Sequence, residues 1–402
     1  MPRFRVRRAL LALIFSFAFT GYVQRTSISI AAQRMMPELG ISQLQVGWLL
    51  TAFLFTYAVF QIPGALVGQW IGARRMLAAI GLATVIATVG TVAGAGVFVA
   101  LLVARSLLGV AQAALFPVGA GTIRTWFPLN SWASAQSLVV TGLWSGAAAT
   151  PALVAWLMQA YGWRWALMVT SVPSLLLVAL WYWYARDRPD EHPGVSEAER
   201  RELSANPSLP PLPPLPSLAF RRVIADPQIL LLTLSYFTMN YVFYLVTFWS
   251  FLYLVQARKM SVLESGLLAV LPFVAAGIAA SVGGWLADRF RRVVPLVALP
   301  CAALFLYLTV TAASPYWAVA ALCLGFGCVE LTEGSYWGAT MRRAPSDTMA
   351  ATALLNTGGN LGGVVATPII AALSASYSWT AVFATGAVLS LVAAGLWLKV
   401  DT

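Results

Sequence analysis

The chain has 402 residues, of which 60% are hydrophobic and 10% are charged, and its mean hydropathy is +0.79. Because soluble domains carry about 25% charged residues, this composition excludes an ordinary soluble protein and indicates an integral membrane protein. The formal net charge of +11 would suit a nucleic-acid partner, but the positions of the basic residues argue against one.

The basic residues are distributed asymmetrically across the predicted membrane. Nineteen of the 25 Lys and Arg residues fall on one side, and only Arg34, Arg164, Arg258 and Lys259 lie on the other. By the positive-inside rule, this asymmetry places both termini in the cytoplasm. We expect a multi-pass protein of the cytoplasmic (inner) membrane. The basic side then faces anionic lipid, and no nucleic-acid partner is expected.

Twelve apolar runs are long enough to span a bilayer, which needs about 20 residues. They lie near residues 10–31, 46–67, 76–95, 97–121, 134–157, 163–184, 228–253, 265–287, 294–312, 317–340, 349–374 and 380–399. The first run has the basic flank of a signal peptide but continues past signal length, so we interpret it as an uncleaved span. The predicted fold is an all-α membrane protein with twelve transmembrane helices.

One long polar segment divides the chain into a six-helix bundle (1–184), a linker (185–227) and a second six-helix bundle (228–402). The linker begins with RDRPDEHPGVSEAERREL, which predicts a short surface helix. It continues as NPSLPPLPPLPS, whose proline density favours an extended polyproline II strap. A ligand for an SH3-type domain is the alternative interpretation of this strap.

The two halves repeat at a nearly constant separation. Thr150-Pro151 recurs as Thr367-Pro368, and YGWRWAL at 161–167 recurs as YSWTAVF at 377–383. Two duplicated six-span halves, related by pseudo-symmetry, are a transporter architecture whose binding site is expected between the halves near the membrane midplane.

Charged residues inside the apolar runs are candidates for the binding site. Arg25 lies in the first run and Arg105 in the fourth. A charge at such depth costs roughly 2.5–3.5 kcal/mol and normally faces a cavity or a partner. Two guanidinium groups suit a carboxylate or phosphate, since each presents a planar fork to paired oxygens. Snorkelling to the outer interface is the alternative.

Two glutamates in the tenth span, Glu330 and Glu333, are three residues apart on one expected helix face. A carboxyl in a low-dielectric environment favours its neutral form unless an arginine pairs with it. Each glutamate is therefore a candidate proton carrier, and structural neutralisation of an arginine is the alternative role.

The spans carry no pattern that indicates catalysis. The cysteines, Cys301, Cys323 and Cys328, lie in apolar runs without metal-ligand spacing, and the spans lack paired histidines and a nucleophile–base set. The sequence predicts a protein that is not an enzyme and uses no metal or cofactor.

Aromatic and amide side chains on the spans are expected to shape the binding pocket. The candidates are Tyr57, Gln61, Tyr241, Tyr244, Trp337 and Asn356. Asn356 lies in ALLNTGGNLGG, whose small residues permit close helix approach and gating motion.

Two motifs in cytoplasmic loops are candidates for gating. Arg74 and Arg75 lie in GARRML after the second span, and Asp288 and Arg289 lie in WLADRF after the eighth. Asp288 is expected to cap a helix and to form a charge lock between helices. A solvated charge run is the alternative.

Several segments together resemble the major facilitator superfamily. They are YVQRTSISIAA, QIPGALVGQWIGARRML, RSLLGVAQAALFP, YGWRWAL and RDRPDEHPGVSEAE, and the resemblance extends from about Arg5 to Trp397. Within that superfamily the chain looks like the anion:cation symporter family, which includes transporters of sugar acids, phthalate-type acids and glutamate. The resemblance implies alternating access of two helical bundles, with anion uptake driven by a proton or sodium ion.

The resemblance also implies roles for individual positions. The family has a substrate-binding arginine where Arg25 stands. It commonly has proton-coupling Asp and Glu residues at the positions of Gln24 and Gln112, neither of which can protonate. The Asp-Arg pair of the family's first loop motif is replaced by Gln69-Trp70, so a weaker cytoplasmic lock is expected there.

The sequence thus predicts a monomeric secondary transporter of a small organic anion, a mono- or dicarboxylate, by proton symport. Arg25 would bind the carboxylate with support from Arg105, and Glu330 or Glu333 would carry the proton. An uncoupled facilitator or an anion exchanger, including one for organic phosphate, is the alternative that the two glutamines favour. A transporter-like sensor is the third and least favoured possibility.

Overall fold

The computed structural model describes residues 5–204 and 216–401, and within these ranges the regular elements are helices and no strand occurs. The helices before the undescribed segment are α1 (Arg5–Leu39), α2 (Gln43–Ile71), α3 (Ala73–Ala93), α4 (Phe98–Gln112), α5 (Leu115–Trp126), α6 (Trp132–Tyr184) and α7 (Glu197–Ser204). Those after it are α8 (Pro216–Ala225), α9 (Pro227–Gln256), α10 (Val262–Leu268), α11 (Leu271–Phe290), α12 (Val293–Thr311), α13 (Pro315–Glu330), α14 (Glu333–Arg343), α15 (Thr348–Ser376) and α16 (Trp379–Trp397). Short 3-10 helices occupy Leu129–Ser131 and Pro189–Glu191.

Ten helices of the described chain are long and apolar enough to cross a membrane. One of them, Leu129–Tyr184, covers both the fifth and the sixth predicted spans, which are separated only by a kink at Gly162. The eleventh predicted span coincides with α15, which is not among the ten. The remaining nine candidates each coincide with one predicted span, so all twelve predicted spans fall on helices.

Helix starts follow from local capping chemistry. Ser42 forms a capping box with Gln45 at the start of α2, and Ser314 and Ser378 accept backbone N–H bonds at the starts of α13 and α16. At α9, the Asp226 side chain accepts the N–H of Gln228 at 2.9 Å, and Pro227 occupies the first turn. Each cap satisfies a donor that the helix itself leaves without a partner.

Two spans are broken at equivalent positions of the repeat. Helix α4 ends at Gln112 and α5 begins at Leu115, and 218 residues later α13 ends at Glu330 and α14 begins at Glu333. The second break interrupts the continuous helical face that was expected for the two glutamates. Both nevertheless remain buried.

Contacts divide the chain into two compact units. Unit 1 comprises Met1–Pro128, Ser145–Arg221 and Pro345–Ala353, and unit 2 comprises Leu129–Trp144, Arg222–Ala344 and Leu354–Thr402. The start of α6 therefore groups with unit 2, and the start of α15 groups with unit 1.

In unit 1, α2 and α4 pack with their backbones in close contact. A Cβ atom at Gly109 would collide with Thr56 and with the backbone of Phe53. The Thr56 hydroxyl also donates to the carbonyl of Ser106 at 2.9 Å. Because only glycine permits this approach, Gly109 sets the distance between the two helices and places the aromatic side chains of α2.

In unit 2, the glycines of α15 pack directly against α9. Cβ atoms at Gly358, Gly362 and Gly363 would collide with Thr233, Phe237 and Tyr244, respectively. The close approach expected from the small residues around Asn356 is therefore present in the structure.

The described part of the linker contacts the start of α1. The predicted surface helix is present as α7, where Glu199 accepts the backbone N–H of Arg7 at 3.3 Å and Glu202 forms a 3.1 Å ion pair with Arg7. Burial raises the pKa of Glu199, and the hydrogen bond from Arg7 only partly opposes this shift. Most of the predicted polyproline II strap falls on 205–215, outside the described residues.

Candidate functional site

Arg25 lies in α1 against three aromatic rings. Its Cζ atom is 5.1 Å from the ring centroid of Tyr22, 4.9 Å from that of Phe53 and 4.8 Å from that of Tyr57. Tyr22 is one turn away on the same helix, and the other two rings are one turn apart on α2, stacked at 5.7 Å. The faces of the rings attract the cation and fix its orientation.

Arg105 supports this arrangement from α4. Its side chain is 2% exposed, its Nη2 donates to the backbone carbonyl of Arg25 at 3.0 Å, and its Cζ is 5.2 Å from the centroid of Phe53. Its Nε has no hydrogen-bond partner among the described residues. Two guanidinium groups therefore meet one ring, and the resulting density of positive charge favours a carboxylate, phosphate or sulfonate.

Three of the other predicted site residues of unit 1 are buried. Gln61 is fully buried one turn after Tyr57. Gln24 donates to the carbonyl of Thr170 at 3.0 Å and to the hydroxyl of Ser174 at 2.9 Å, and Gln112 donates to the carbonyl of Gly21 at 3.0 Å. The amide groups of Gln24 and Gln112 therefore hold helices together.

Glu330 is a fully buried carboxyl in an aromatic environment. Its Oε2 accepts the indole N–H of Trp144 at 3.0 Å, and its Oε1 has no hydrogen-bond partner in the described part of the chain. The indole of Trp144 packs against Phe243, Phe273 and Phe326 at 5.5–5.8 Å between ring centroids. The carboxyl group therefore has one oxygen fixed and one available to hold a proton.

Glu333 is also buried but is fully engaged. The Tyr236 hydroxyl lies 2.9 and 3.0 Å from its two oxygens, and the indole N–H of Trp337 donates to Oε2 at 3.0 Å. Across residues 5–204 and 216–401, neither glutamate forms an ion pair with an arginine. In that part of the chain, no ion pair supports the alternative role in which a glutamate only neutralises an arginine.

The remaining candidates of unit 2 contact neighbouring helices. The Tyr241 hydroxyl is 3.2 Å from that of Thr385 on α16, and Tyr244 donates to Oδ1 of Asn360 at 2.8 Å. Asn360 in turn donates to the backbone carbonyl of Asn356 at 2.7 Å. Tyr244 and Asn360 thus link α9 to α15 beside the glycines of α15 that pack against α9.

Asp288 caps the start of α6. Its carboxylate accepts the backbone N–H groups of Ala133 at 3.0 Å and Ser134 at 2.8 Å, and it also accepts the Ser134 hydroxyl. The Asp288 carboxylate thereby satisfies backbone donors at the N-terminus of α6 and interacts favourably with the helix dipole. Arg289 lies with its Cζ 5.8 Å from the ring of Phe290 on the same helix.

The first loop motif has a different arrangement. Arg74 donates twice to the carbonyl of Tyr182, at 2.6 and 3.2 Å, and its backbone N–H donates to Asp187 at 2.8 Å. Gln69 donates to Oδ1 of Asp347 at 3.0 Å. The amide of Gln69 is thus held by the carboxylate of Asp347, which precedes α15. Arg75 is exposed.

Comparison with known protein families identifies the family of the chain that carries these helix breaks, buried cations and buried carboxyl groups. The profile described as Major Facilitator Superfamily matches residues 13–351, which is most of its length. The chain belongs to the Major Facilitator Superfamily. As a major facilitator it is a multi-pass membrane transporter and not an enzyme, which confirms the predicted class.

Two curated relatives of this major facilitator are named for anion transport. The chain is 28% identical, over 92% of its length and 87% of the relative's, to a probable sulfoacetate transporter, SauU, of Cupriavidus necator. It is 26% identical to the chloroplastic sodium-dependent phosphate transport protein 1 of Arabidopsis thaliana, over 98% of this chain and 79% of that protein. The resemblance to anion-transporting major facilitators is confirmed.

A solved structure supports the fold of this major facilitator. The proton:xylose symporter XylE superposes with a TM-score of 0.80 at 13% identity, covering 99% of this chain and 97% of that chain. This likeness confirms the predicted all-α major facilitator fold.

Three residues that contact the charged groups were missed by sequence reasoning. Tyr22 and Phe53 flank Arg25, and Tyr236 holds Glu333. A usable signal existed for two of them, because Tyr22 and Phe53 lie one helical turn from Arg25 and Tyr57, respectively. Tyr236 gave no such signal, since α9 carries aromatic residues all around its circumference.

Proposed function

We propose that this major facilitator transports a small organic anion with at least one carboxylate across the cytoplasmic membrane by proton symport. It acts as a monomer with both termini in the cytoplasm, and alternating access exposes the site to each side in turn. Arg25 binds the substrate carboxylate, and the names of the two anion-transporting relatives support an anionic substrate.

The arrangement of Arg25 and Arg105 on the Phe53 ring carries this proposal. The rings of Tyr22 and Tyr57 restrict the Arg25 guanidinium, so that little side-chain entropy remains to be lost when an anion binds. Arg105 adds a second positive charge and fixes the backbone of α1 at that position. The two oxygens of a carboxylate match the planar guanidinium of Arg25 better than they match the point charge of a lysine ammonium.

The coupling proton is proposed to reside on Glu330. The family resemblance expects a carboxylate at the position of Gln112, and the equivalent position in the second half of the repeat holds Glu330. Glu330 has one oxygen without a partner in the described chain, whereas Glu333 receives hydrogen bonds on both oxygens. Glu333 is the second candidate for the same role.

An uncoupled facilitator or an anion exchanger is the alternative function. Gln24 and Gln112 favour it, because both amide groups are fixed by hydrogen bonds to neighbouring helices and neither can carry a proton. Sodium coupling and an organic phosphate substrate remain variants of the proposal, in keeping with the name of the Arabidopsis relative.

Uptake by proteoliposomes tests the proposal. The purified full chain is reconstituted, and accumulation of labelled sulfoacetate, succinate, gluconate, glycerol 3-phosphate and inorganic phosphate is measured with an inward proton gradient, an inward sodium gradient or neither. Glu330→Gln, Glu333→Gln and Arg25→Ala are assayed in parallel, both for net uptake and for counterflow exchange.

We expect a carboxylate to accumulate above equilibrium only with the proton gradient. Glu330→Gln should abolish that accumulation while leaving counterflow, and Arg25→Ala should abolish both. Equilibration without accumulation in the wild type would favour the facilitator or exchanger. Unchanged accumulation in both glutamate variants would exclude the glutamates as proton carriers.

A further inference from the structure

A cavity of about 470 Å³ lies in unit 1 away from Arg25, at the end of the helices predicted to be cytoplasmic. It is lined by the end of α2 with the following loop, by the end of α5, by residues 186–191 and by residues 345–349 around the start of α15. Its volume is in the range of small-molecule binding sites.

Two buried donors that line this cavity lack acceptors. Arg124 is 6% exposed and its Nη2 has no hydrogen-bond partner among the described residues, and the same holds for Nε1 of Trp126, which is 1% exposed. The indole of Trp126 stands edge-on to the ring of His192 at 6.0 Å. Buried donors are usually paired, and a ligand bound in this cavity would supply the acceptor that both of these donors lack.

The charge of the lining favours an anion. Four arginines contribute (Arg75, Arg124, Arg186 and Arg188), against two carboxylates, Asp187 and Glu191. Asp187 is already engaged by the backbone N–H of Arg74 at 2.8 Å. Asp347, near Arg124, accepts a hydrogen bond from Gln69. Arg188 forms a 3.2 Å ion pair with Asp190. Arg75, Arg124 and Arg186 form no ion pair in the described part of the chain, so these three arginines supply the positive charge of the lining.

One acceptor in the cavity also lacks a partner. Oε1 of Gln69 is buried and receives no hydrogen bond from the described chain, although Nε2 of the same amide is bound to Asp347. A ligand that satisfies the cavity must carry a hydroxyl donor as well as anionic oxygens. Chloride and sulfate carry no such donor. Hydrogenphosphate carries one but is small for a cavity of about 470 Å³, whereas a hydroxylated phosphate ester supplies both groups and occupies more of the space.

We propose that this cavity binds a hydroxyl-bearing phosphate ester from the cytoplasmic side, with Arg124 and Trp126 donating to the phosphate. Soluble polyol phosphates and the glycerol-phosphate headgroup of an anionic lipid share this chemistry. The ligand contacts both α5 and the start of α15, so its binding holds these segments together and opposes any motion that separates them.

Thermal unfolding of the purified full chain tests this site. Midpoints are measured in nanodiscs of phosphatidylcholine with rising glycerol 3-phosphate, with potassium chloride at matched ionic strength as the salt control. A second series replaces part of the phosphatidylcholine by phosphatidylglycerol. The variants are Arg124→Gln, Trp126→Phe, which keeps the ring but removes the N–H, and Arg75→Gln, which alters an exposed residue of the lining. Arg200→Gln is the matched control, since it removes an exposed charge outside the cavity.

We expect glycerol 3-phosphate or phosphatidylglycerol to raise the midpoint of the wild type and of Arg200→Gln. The apparent affinity should fall at least threefold in Arg75→Gln and Trp126→Phe and be lost in Arg124→Gln. A response confined to phosphatidylglycerol identifies the lipid headgroup as the source, and a response to the soluble ester identifies a metabolite. Equal responses in all variants, or no response beyond that of chloride, would overturn the proposal. Arg25→Ala is measured in parallel, because glycerol 3-phosphate bound at the Arg25 site would also raise the midpoint. A response that persists in Arg25→Ala arises outside that site, so failure of this proposal is distinguishable from failure of the proposed function.

Discussion

The environment of Arg25 determines how its charge is presented. Three ring faces within 4.8–5.1 Å leave the guanidinium few orientations, and each such contact contributes about 0.5–2 kcal/mol depending on its desolvation. The hydrogen bond from Arg105 to the carbonyl of Arg25 fixes the backbone in addition. Side chain and main chain are therefore both ordered in the absence of a ligand, which would lower the entropic cost of binding the proposed anion.

Replacing Arg25 by lysine should weaken substrate binding while keeping the charge. Lysine offers a point charge in place of a planar fork, so we expect KM to rise roughly 10- to 100-fold, about 1.4–2.7 kcal/mol, with a smaller effect on the maximal rate. Initial uptake rates in proteoliposomes measure this change. Arg34→Lys, on the outer part of the same helix, is the control and should leave KM unchanged. An unaltered KM in Arg25→Lys would place the substrate elsewhere.

At the scale of helices, hydropathy predicted the spans but not their rotation or interruptions. All twelve predicted spans fall on helices because length and apolarity alone determine them. The orientation of Gln24 toward Thr170 was not predictable, since most faces of α1 are apolar and no periodicity identifies the inner one. The break after Gln112 had a signal in Pro117, which cannot donate to the carbonyl of Ala113. The break after Glu330 left no such signal, because neither a proline nor paired glycines mark it.

The cap that Asp288 provides to α6 should contribute measurably to stability. Asp288→Ala removes the acceptor of the backbone N–H groups of Ala133 and Ser134, so we expect a loss of about 1–2 kcal/mol and a lower thermal midpoint in detergent. Asp288→Asn keeps an acceptor oxygen and should retain most of the stability. If both variants unfold together well below the wild type, charge rather than capping would be the main contribution. If neither differs from the wild type, the cap is energetically unimportant.

At the scale of the whole molecule, the repeat relates Gln112 to Glu330 across 218 residues. Each residue ends a helix immediately before a break, and each is buried. The repeated sequence motifs showed that the two halves correspond. The break that both halves share shows which residue of one half is equivalent to which residue of the other. The register suggests that a carboxylate in either half is placed in an equivalent local structure.

Moving the carboxylate from one half to the other is the direct test of this equivalence. Glu330→Gln alone should lose gradient-driven accumulation, and the double variant Gln112→Glu, Glu330→Gln should recover part of it, because a titratable group returns at the equivalent position. Accumulation ratios at fixed proton gradient provide the measurement. The single variant Gln112→Glu is the control, since it shows whether a glutamate at position 112 raises accumulation when Glu330 is still present. A double variant no better than Glu330→Gln would show that the two positions are not interchangeable.

The contact between α7 and the start of α1 should make stability depend on pH. Since burial raises the folded-state pKa of Glu199, its contribution to stability is full below the unfolded-state pKa of about 4.3 and is lost as pH rises through the folded-state value. Glu199→Gln should therefore match the wild type near pH 4 and exceed its thermal midpoint near pH 7.5. A Glu199→Gln midpoint below the wild type at pH 7.5 would contradict this account.

The turn within α6 has a consequence for how the protein is made. Its two arms meet at the single residue Gly162, whose φ of 78° reverses the chain without a loop. Because no connecting loop separates the arms, we expect the first arm to enter the bilayer together with the second. We therefore expect the fifth and sixth spans to form a single unit of biogenesis, one helical hairpin whose arms leave the translocon together.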